Sequence, residues 1–191
     1  MINALSREVV NGVWKIRLNS NISRYDFKLH IIIPEINKAD VSGSANVTVT
    51  EPVSGDGSFS TKVSGSRTID ISGFDDVFTT MNVDVSGSGS ALIDDITVRN
   101  LSANVSGSGN VQLQGMSSTF TARVSGSGNI SDYNLISSDV DAQSSGSGSI
   151  SFTCNDKLYA KVSGSGNILY KGNPTDVQTE VSGSGKIQKV D

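Results

Sequence analysis

Serine supplies most of the side chains in this chain that could do chemistry. It is concentrated in eight Ser-Gly-Ser triplets whose first serines are Ser42, Ser64, Ser86, Ser106, Ser125, Ser145, Ser163 and Ser182. A serine hydroxyl becomes a nucleophile only beside a positioned base. The chain has one histidine, His30. It lies in a stretch of alternating apolar and polar residues and reads as a surface or interface residue. Cys154 follows Ile150 and Phe152 at period two, which points it into a core as a small hydrophobe rather than a reactive thiol.

Carboxylates could serve polysaccharide cleavage, which needs two of them at a set separation. Asp75-Asp76 and Asp94-Asp95 are adjacent, and neighbours on a strand face opposite ways. Asp132, Asp139, Asp141 and Asp156 read as scattered turn or edge residues. The common repeat, Ser-Gly-Ser-Gly followed by Asn or Ser, lacks the acid that a Gly-Gly-x-Gly-x-Asp repeat offers calcium. No Gly-Lys-Ser/Thr phosphate loop occurs. We expect no catalytic set, no metal and no cofactor.

The elements that carry these residues follow from their spacing. The triplets recur at intervals of 22, 22, 20, 19, 20, 18 and 19 residues. A period of about 20 residues is the mark of a solenoid. Before each triplet from the second on stand three residues at period two: Phe59/Thr61/Val63, Met81/Val83/Val85, Leu101/Ala103/Val105, Phe120/Ala122/Val124, Val140/Ala142/Ser144, Leu158/Ala160/Val162 and Val177/Thr179/Val181. Period two means a strand with one buried face. Five residues after each first serine comes a second column: Val47, Ile69, Ala91, Val111, Ile130, Ile150, Ile168 and Ile187.

The spacing therefore predicts an all-β, single-stranded parallel β-helix over residues 41–191. It is right-handed by the usual preference for parallel crossovers. Residues 1–40 supply N-terminal strands that cap it, including a hairpin at Asn11-Gly12 and a strand over 25–33. Glycine in the triplet is expected to permit positive φ and close rung contact. Asn46, Asn110, Asn129 and Asn167 are expected to tolerate left-handed φ and to bond their stacked neighbours. The variable segments, such as Gln114–Ser118, form the opposite corner.

In each Val-Ser-Gly-Ser strand the serines alternate against a buried valine, so they should form two outward columns. Ser86, Ser88, Ser106, Ser108, Ser125, Ser127, Ser145, Ser147, Ser163 and Ser165 are the candidate binding surface. A hydroxyl ladder of this kind suits carbohydrate, another protein rod or ordered water; the plainer alternative is that small outward residues simply suit a tightly twisted, closely spaced sheet.

Bulk properties narrow the partners. The 191 residues carry a formal net charge of −4 and scattered basic residues, which argues against nucleic acid. One cysteine excludes an intrachain disulfide framework. No apolar run approaches the roughly 20 residues of a spanning helix. The first residues lack the basic start and apolar middle of a secretory signal.

The repeated Val-Ser-Gly-Ser-Gly-Asn, with an Asn-Gly hairpin upstream, resembles the bacterial putative auto-transporter adhesin head GIN domain family (DUF2807). Residues 7–41 resemble that family's lead-in, with Asn11-Gly12-Val13-Trp14-Lys15-Ile16 as the hairpin and a strand ending at Pro34. The resemblance implies a pectin-lyase-like β-helix without a recognised catalytic set, common in Bacteroidetes and exported behind a leader. It implies an extracytoplasmic surface protein that binds carbohydrate or a host or cell-surface protein. The missing leader and the short N-terminal part lead us to expect a processed or shortened chain. A polysaccharide-active β-helix enzyme and a stalk that self-assembles through rung edges or flat faces are the alternatives.

Overall fold

The computed structural model describes residues 9–10, 13–14, 30–52, 56–74 and 77–191. The chain divides into two compact units, Met1–Ile32 and Ile33–Asp191. In the first, strands β1 (Val9–Val10) and β2 (Val13–Trp14) pair antiparallel, Val10 opposite Val13, as the Asn-Gly signal predicts. The strand expected over 25–33 is not found in its described part. Residues 25–29 lie outside the described residues, and 30–33 form no strand. Ile32 is 87% exposed, and Ile31 and Ile33 are also exposed. Pro34 follows, with no N–H for a ladder, and pairing begins only at Lys38.

The second unit is a parallel β-solenoid of about seven turns, with no helix among the described residues. Its strands are β3 (Lys38–Val41), β4 (Val47–Thr50), β5 (Ser58–Val63), β6 (Thr68–Ser72), β7 (Phe78–Val85), β8 (Ser90–Val105) and β9 (Asn110–Val124). They continue as β10 (Asn129–Ser144), β11 (Ile150–Val162), β12 (Ile168–Lys171), β13 (Asp176–Val181) and β14 (Ile187–Lys189). The four long strands β8 to β11 each run from one Ser-Gly-Ser corner to the next. Their pairing shifts register at the corner between, for example between Ile93 and Ile96.

Like residues stack on like, because burial of one strand face fixes the register of every neighbour. Phe59, Met81, Leu101, Phe120, Val140, Leu158 and Val177 are successive pairing partners. So are Val63, Val85, Val105, Val124, Ser144, Val162 and Val181. The second column, Val47 to Ile187, holds equally well. Across the core Phe120 meets Phe152 edge-on at 6.3 Å. Ser144 breaks the valine column, and its hydroxyl stays satisfied by donating to the Gly148 carbonyl at 2.9 Å.

One set departs from expectation. Val177, Thr179 and Val181 are in register but exposed, Val177 by 44% and Val181 by 53%. Their strand pairs with β11 alone, so nothing among the described residues covers its other side. In the fifth rung the pairing after the second column is also irregular. Pairing jumps from Ile130 opposite Val111 to Leu135 opposite Gly115, and Leu135 is buried there.

Candidate functional site: the serine corner and the outer face of the solenoid

All ten candidate serines lie at one corner of the solenoid, and all are exposed. They do not belong to strands, as alternation had suggested. Each Ser-Gly-Ser is a bend between strands, held by backbone stacking. Ser125 N donates to Val105 O at 2.9 Å, and Ser127 N to Gly107 O at 3.0 Å. Ser145 and Ser147 repeat this pattern on Val124 and Gly126 at 2.8 and 3.0 Å. Adjacent rungs are therefore about 4.8 Å apart, and two columns of hydroxyls face solvent along the corner.

Glycine is needed here for space, not for its φ. No triplet glycine has a left-handed φ. A Cβ on Gly126 would collide with the carbonyl oxygen of Gly107, and one on Gly146 with that of Gly126. The fourth glycine is equally confined: a Cβ on Gly148 would also come within 2.9 Å of Val124 Cγ1. The asparagines are likewise not left-handed. They form a side-chain ladder, as expected. Asn110 Oδ1 accepts from Asn129 N and Nδ2 at 3.2 and 3.1 Å, and Asn129 Oδ1 accepts from Ser149 N at 2.8 Å.

Left-handed residues occupy the opposite corner. Glu51, Gly73, Asp95, Gly115 and Gly172 have φ of 53°, 76°, 61°, 135° and 91°. Each stands nine residues after the first serine of its rung (51 from 42, 73 from 64, 95 from 86, 115 from 106, 172 from 163). Sequence reasoning missed this column, although Gly73, Gly115 and Gly172 at one offset signalled it.

The remaining candidates separate cleanly. His30 is exposed. Cys154 is fully buried, and its thiol donates to Lys157 O at 3.2 Å. Burial pushes its pKa up, so the thiol stays protonated. Asp75 and Asp76 lie outside the described residues. Asp94 and Asp95 are exposed neighbours at the opposite corner. Among the described residues no three His, Cys, Asp or Glu side chains gather as a metal site.

Asp139 and Asp141 are not scattered. Two residues apart on β10, they share the outward face of the sheet. Register places Thr119, Asp139, Lys157 and Asp176 in one row, and Thr121, Asp141, Tyr159 and Gln178 in the next. The two rows line an open groove of about 420 Å³. Arg123 grips Asp141 with two nitrogens, at 3.1 and 2.7 Å, and Gln143 adds a third bond at 3.2 Å. The Tyr159 hydroxyl donates to Glu180 at 3.0 Å, and Lys161 pairs with the other Glu180 oxygen at 2.7 Å. Hydrogen bonds from Lys161 and then Tyr159 hold the Glu180 carboxyl below its ordinary pKa. The same contacts raise Tyr159 and Lys161. Asp139 Oδ1 is buried, and among the described residues none donates a hydrogen bond to it.

The fold has close parallels among solved structures. A putative adhesin from Bacteroides fragilis NCTC 9343 is 23% identical, with a TM-score of 0.72 over 83% of this chain and 94% of that one. A putative lipid binding protein from Parabacteroides distasonis ATCC 8503 is 23% identical, with a TM-score of 0.75 over 100% of this chain and 80% of that one. A putative adhesin from the same organism is 23% identical, with a TM-score of 0.67 over 81% of this chain and 64% of that one. No curated protein matches. At this identity the likeness is one of fold. The family itself is shown by the model of the putative auto-transporter adhesin, head GIN domain, which matches residues 1–174, and the chain belongs to that family.

Proposed function

We propose that the protein is a non-catalytic adhesion module of the cell envelope that binds carbohydrate or protein through its solvent-facing solenoid surface. The observation that carries this reading is the corner itself. Ser86, Ser88, Ser106, Ser108, Ser125, Ser127, Ser145, Ser147, Ser163 and Ser165 are all exposed on a backbone stacked in register. A ligand with its own repeat can engage several rungs at once, and weak contacts then add as avidity. Membership of an adhesin-head family supports an extracytoplasmic place for this surface. Among the described residues no helix is long and apolar enough to cross a membrane.

A glycan array run beside a polysaccharide depolymerisation assay tests the reading. Binding without turnover is expected. Turnover of a bound polysaccharide would replace the adhesin by an enzyme.

A second reading has one observation of its own. Among the described residues β13 is paired on one side only and exposes Val177 and Val181, so this edge can accept another strand. Light scattering over a range of concentrations tests self-association, and a strict monomer would remove it.

A further inference from the structure

We propose that the outer-face groove between Asp139, Asp141, Lys157, Tyr159, Asp176 and Gln178 is a discrete binding site for a neutral oligosaccharide, separate from the serine corner. It deepens the reading of the chain as a binding module and rests on it.

Four observations define the site. First, Asp139 Oδ1 is a buried acceptor without a donor among the described residues. Such an atom costs stability, and because it has no surface open to solvent it meets a ligand hydroxyl only once the Asp139 carboxylate turns toward the groove. Second, Asp141 is pre-organised by Arg123 and Gln143, so its position is fixed before a ligand arrives. A carboxylate held in this way forms strong, charge-assisted bonds to hydroxyls. Third, Tyr159 lies at the centre of the second row, between Asp141 and Gln178, with its phenol anchored to Glu180. An anchored aromatic ring offers a rigid, amphipathic contact surface at low entropic cost. Fourth, the groove is open and crosses β9, β10, β11 and β13. At about 4.8 Å per strand it is roughly 14 Å long, which suits a chain segment better than a single small molecule.

Charge narrows the ligand. The lining carries three carboxylates, of which Asp141 is paired with Arg123, leaving Asp139 and Asp176 against one amine, Lys157. Like-charge contact disfavours uronate or sulfated chains. Hydroxyl donors from a neutral sugar match the acceptors that are present. Thr119 already donates to Asn100 Oδ1 at 2.9 Å, so its oxygen is left to accept as well.

The test is titration calorimetry of the full chain with β-1,4-linked hexasaccharides of glucose, mannose and N-acetylglucosamine, and with an oligogalacturonate. The variants are Tyr159→Ala, Tyr159→Phe, Asp139→Asn, and the corner pair Ser125→Ala with Ser145→Ala. A cooperative unfolding transition checks that each variant folds. We expect one or more neutral hexasaccharides to bind. Tyr159→Ala and Asp139→Asn should each weaken binding at least about tenfold, or ~1.4 kcal/mol. Tyr159→Phe should stay within about threefold, and the corner pair should bind as the parent does. No binding of any neutral hexasaccharide, or tighter binding of the oligogalacturonate, overturns the proposal. Neutral binding that is lost in the corner pair and kept in both groove variants also overturns it, while leaving the adhesion reading intact.

Discussion

At the Ser-Gly-Ser corner the backbone of one rung rests directly on the next, with the Ser127 and Ser147 amides on glycine carbonyls at 3.0 Å. At the opposite corner five rungs turn by single left-handed residues, and the pairing slips register, as around Asp95 between Ile93 and Ile96. One corner is set by contact between rungs; the other is set by conformation within a rung, joined at Gly115 and Gly172 by the same contact, since a Cβ there would strike Ile96 O or Cys154 O. A contact rule must be obeyed by every rung that stands on another, because each carbonyl excludes a side chain above it. A conformational rule can be met by Gly73, by Asp95 or by Glu51, each at its own energetic cost. Regularity and tolerance therefore sit at opposite ends of the same rung.

Inserting one residue should expose this contrast most strongly. An extra glycine between Gly126 and Ser127 breaks the stack in the middle of the solenoid, and we expect cooperative thermal unfolding to be lost. The same insertion between Gly172 and Asn173 lengthens a corner that already varies, and should cost less than about 1 kcal/mol. Equal losses at both places would erase the distinction.

Substitution at the left-handed column gives the next largest effect. Gly73→Ala places a Cβ at φ 76°, 3.2 Å from Glu51 N, and should destabilise by about 1–2 kcal/mol. Asp95→Gly relieves φ 61° and should stabilise by up to about 1 kcal/mol. Chemical denaturation reads both, and the opposite signs are the diagnostic result. Ser144→Val restores the valine column beside the triplet. It exchanges one side-chain hydrogen bond for apolar burial between Val124 and Val162, and a gain of about 1 kcal/mol is expected.

The smallest effect concerns the exposed outer face. Glu180 has a lowered pKa in the folded chain, so its contribution is present above its unfolded value and fades as pH falls through the folded one. Lys161 and Tyr159 are raised, so theirs is present below their unfolded values and fades as pH rises through the folded ones. Melting temperature should therefore sag slightly at both the acid and the alkaline end. Glu180→Gln should flatten both limbs, and an unchanged profile would show that the cluster contributes nothing.

The fold was readable from the chain because core columns are enforced by stacking. Phe120, Ala122 and Val124 align with Val140, Ala142 and Ser144 exactly where period two puts them. The reason for the glycines was not readable, since steric exclusion by a neighbouring rung and freedom of φ select the same residue. The left-handed column was obscured because Glu, Asp and Gly share no chemistry beyond tolerating that turn. The groove was hidden for a related reason: outward residues answer to no stacking rule, so Thr119, Asp139, Lys157 and Asp176 show no common type. The one legible trace was Asp139 and Asp141 at period two on a strand already recognised.

The central claim is that triplet glycines are required by the rung beneath them. Equilibrium denaturation of Gly146→Ala and Gly43→Ala tests it within a single motif. A Cβ on Gly146 would collide with Gly126 O and lie 2.8 Å from Ser125 O, whereas one on Gly43 meets nothing within 4 Å. We predict a loss of about 3 kcal/mol or more for Gly146→Ala, and a change within about 0.5 kcal/mol for Gly43→Ala. Equal effects at the two positions would contradict the claim.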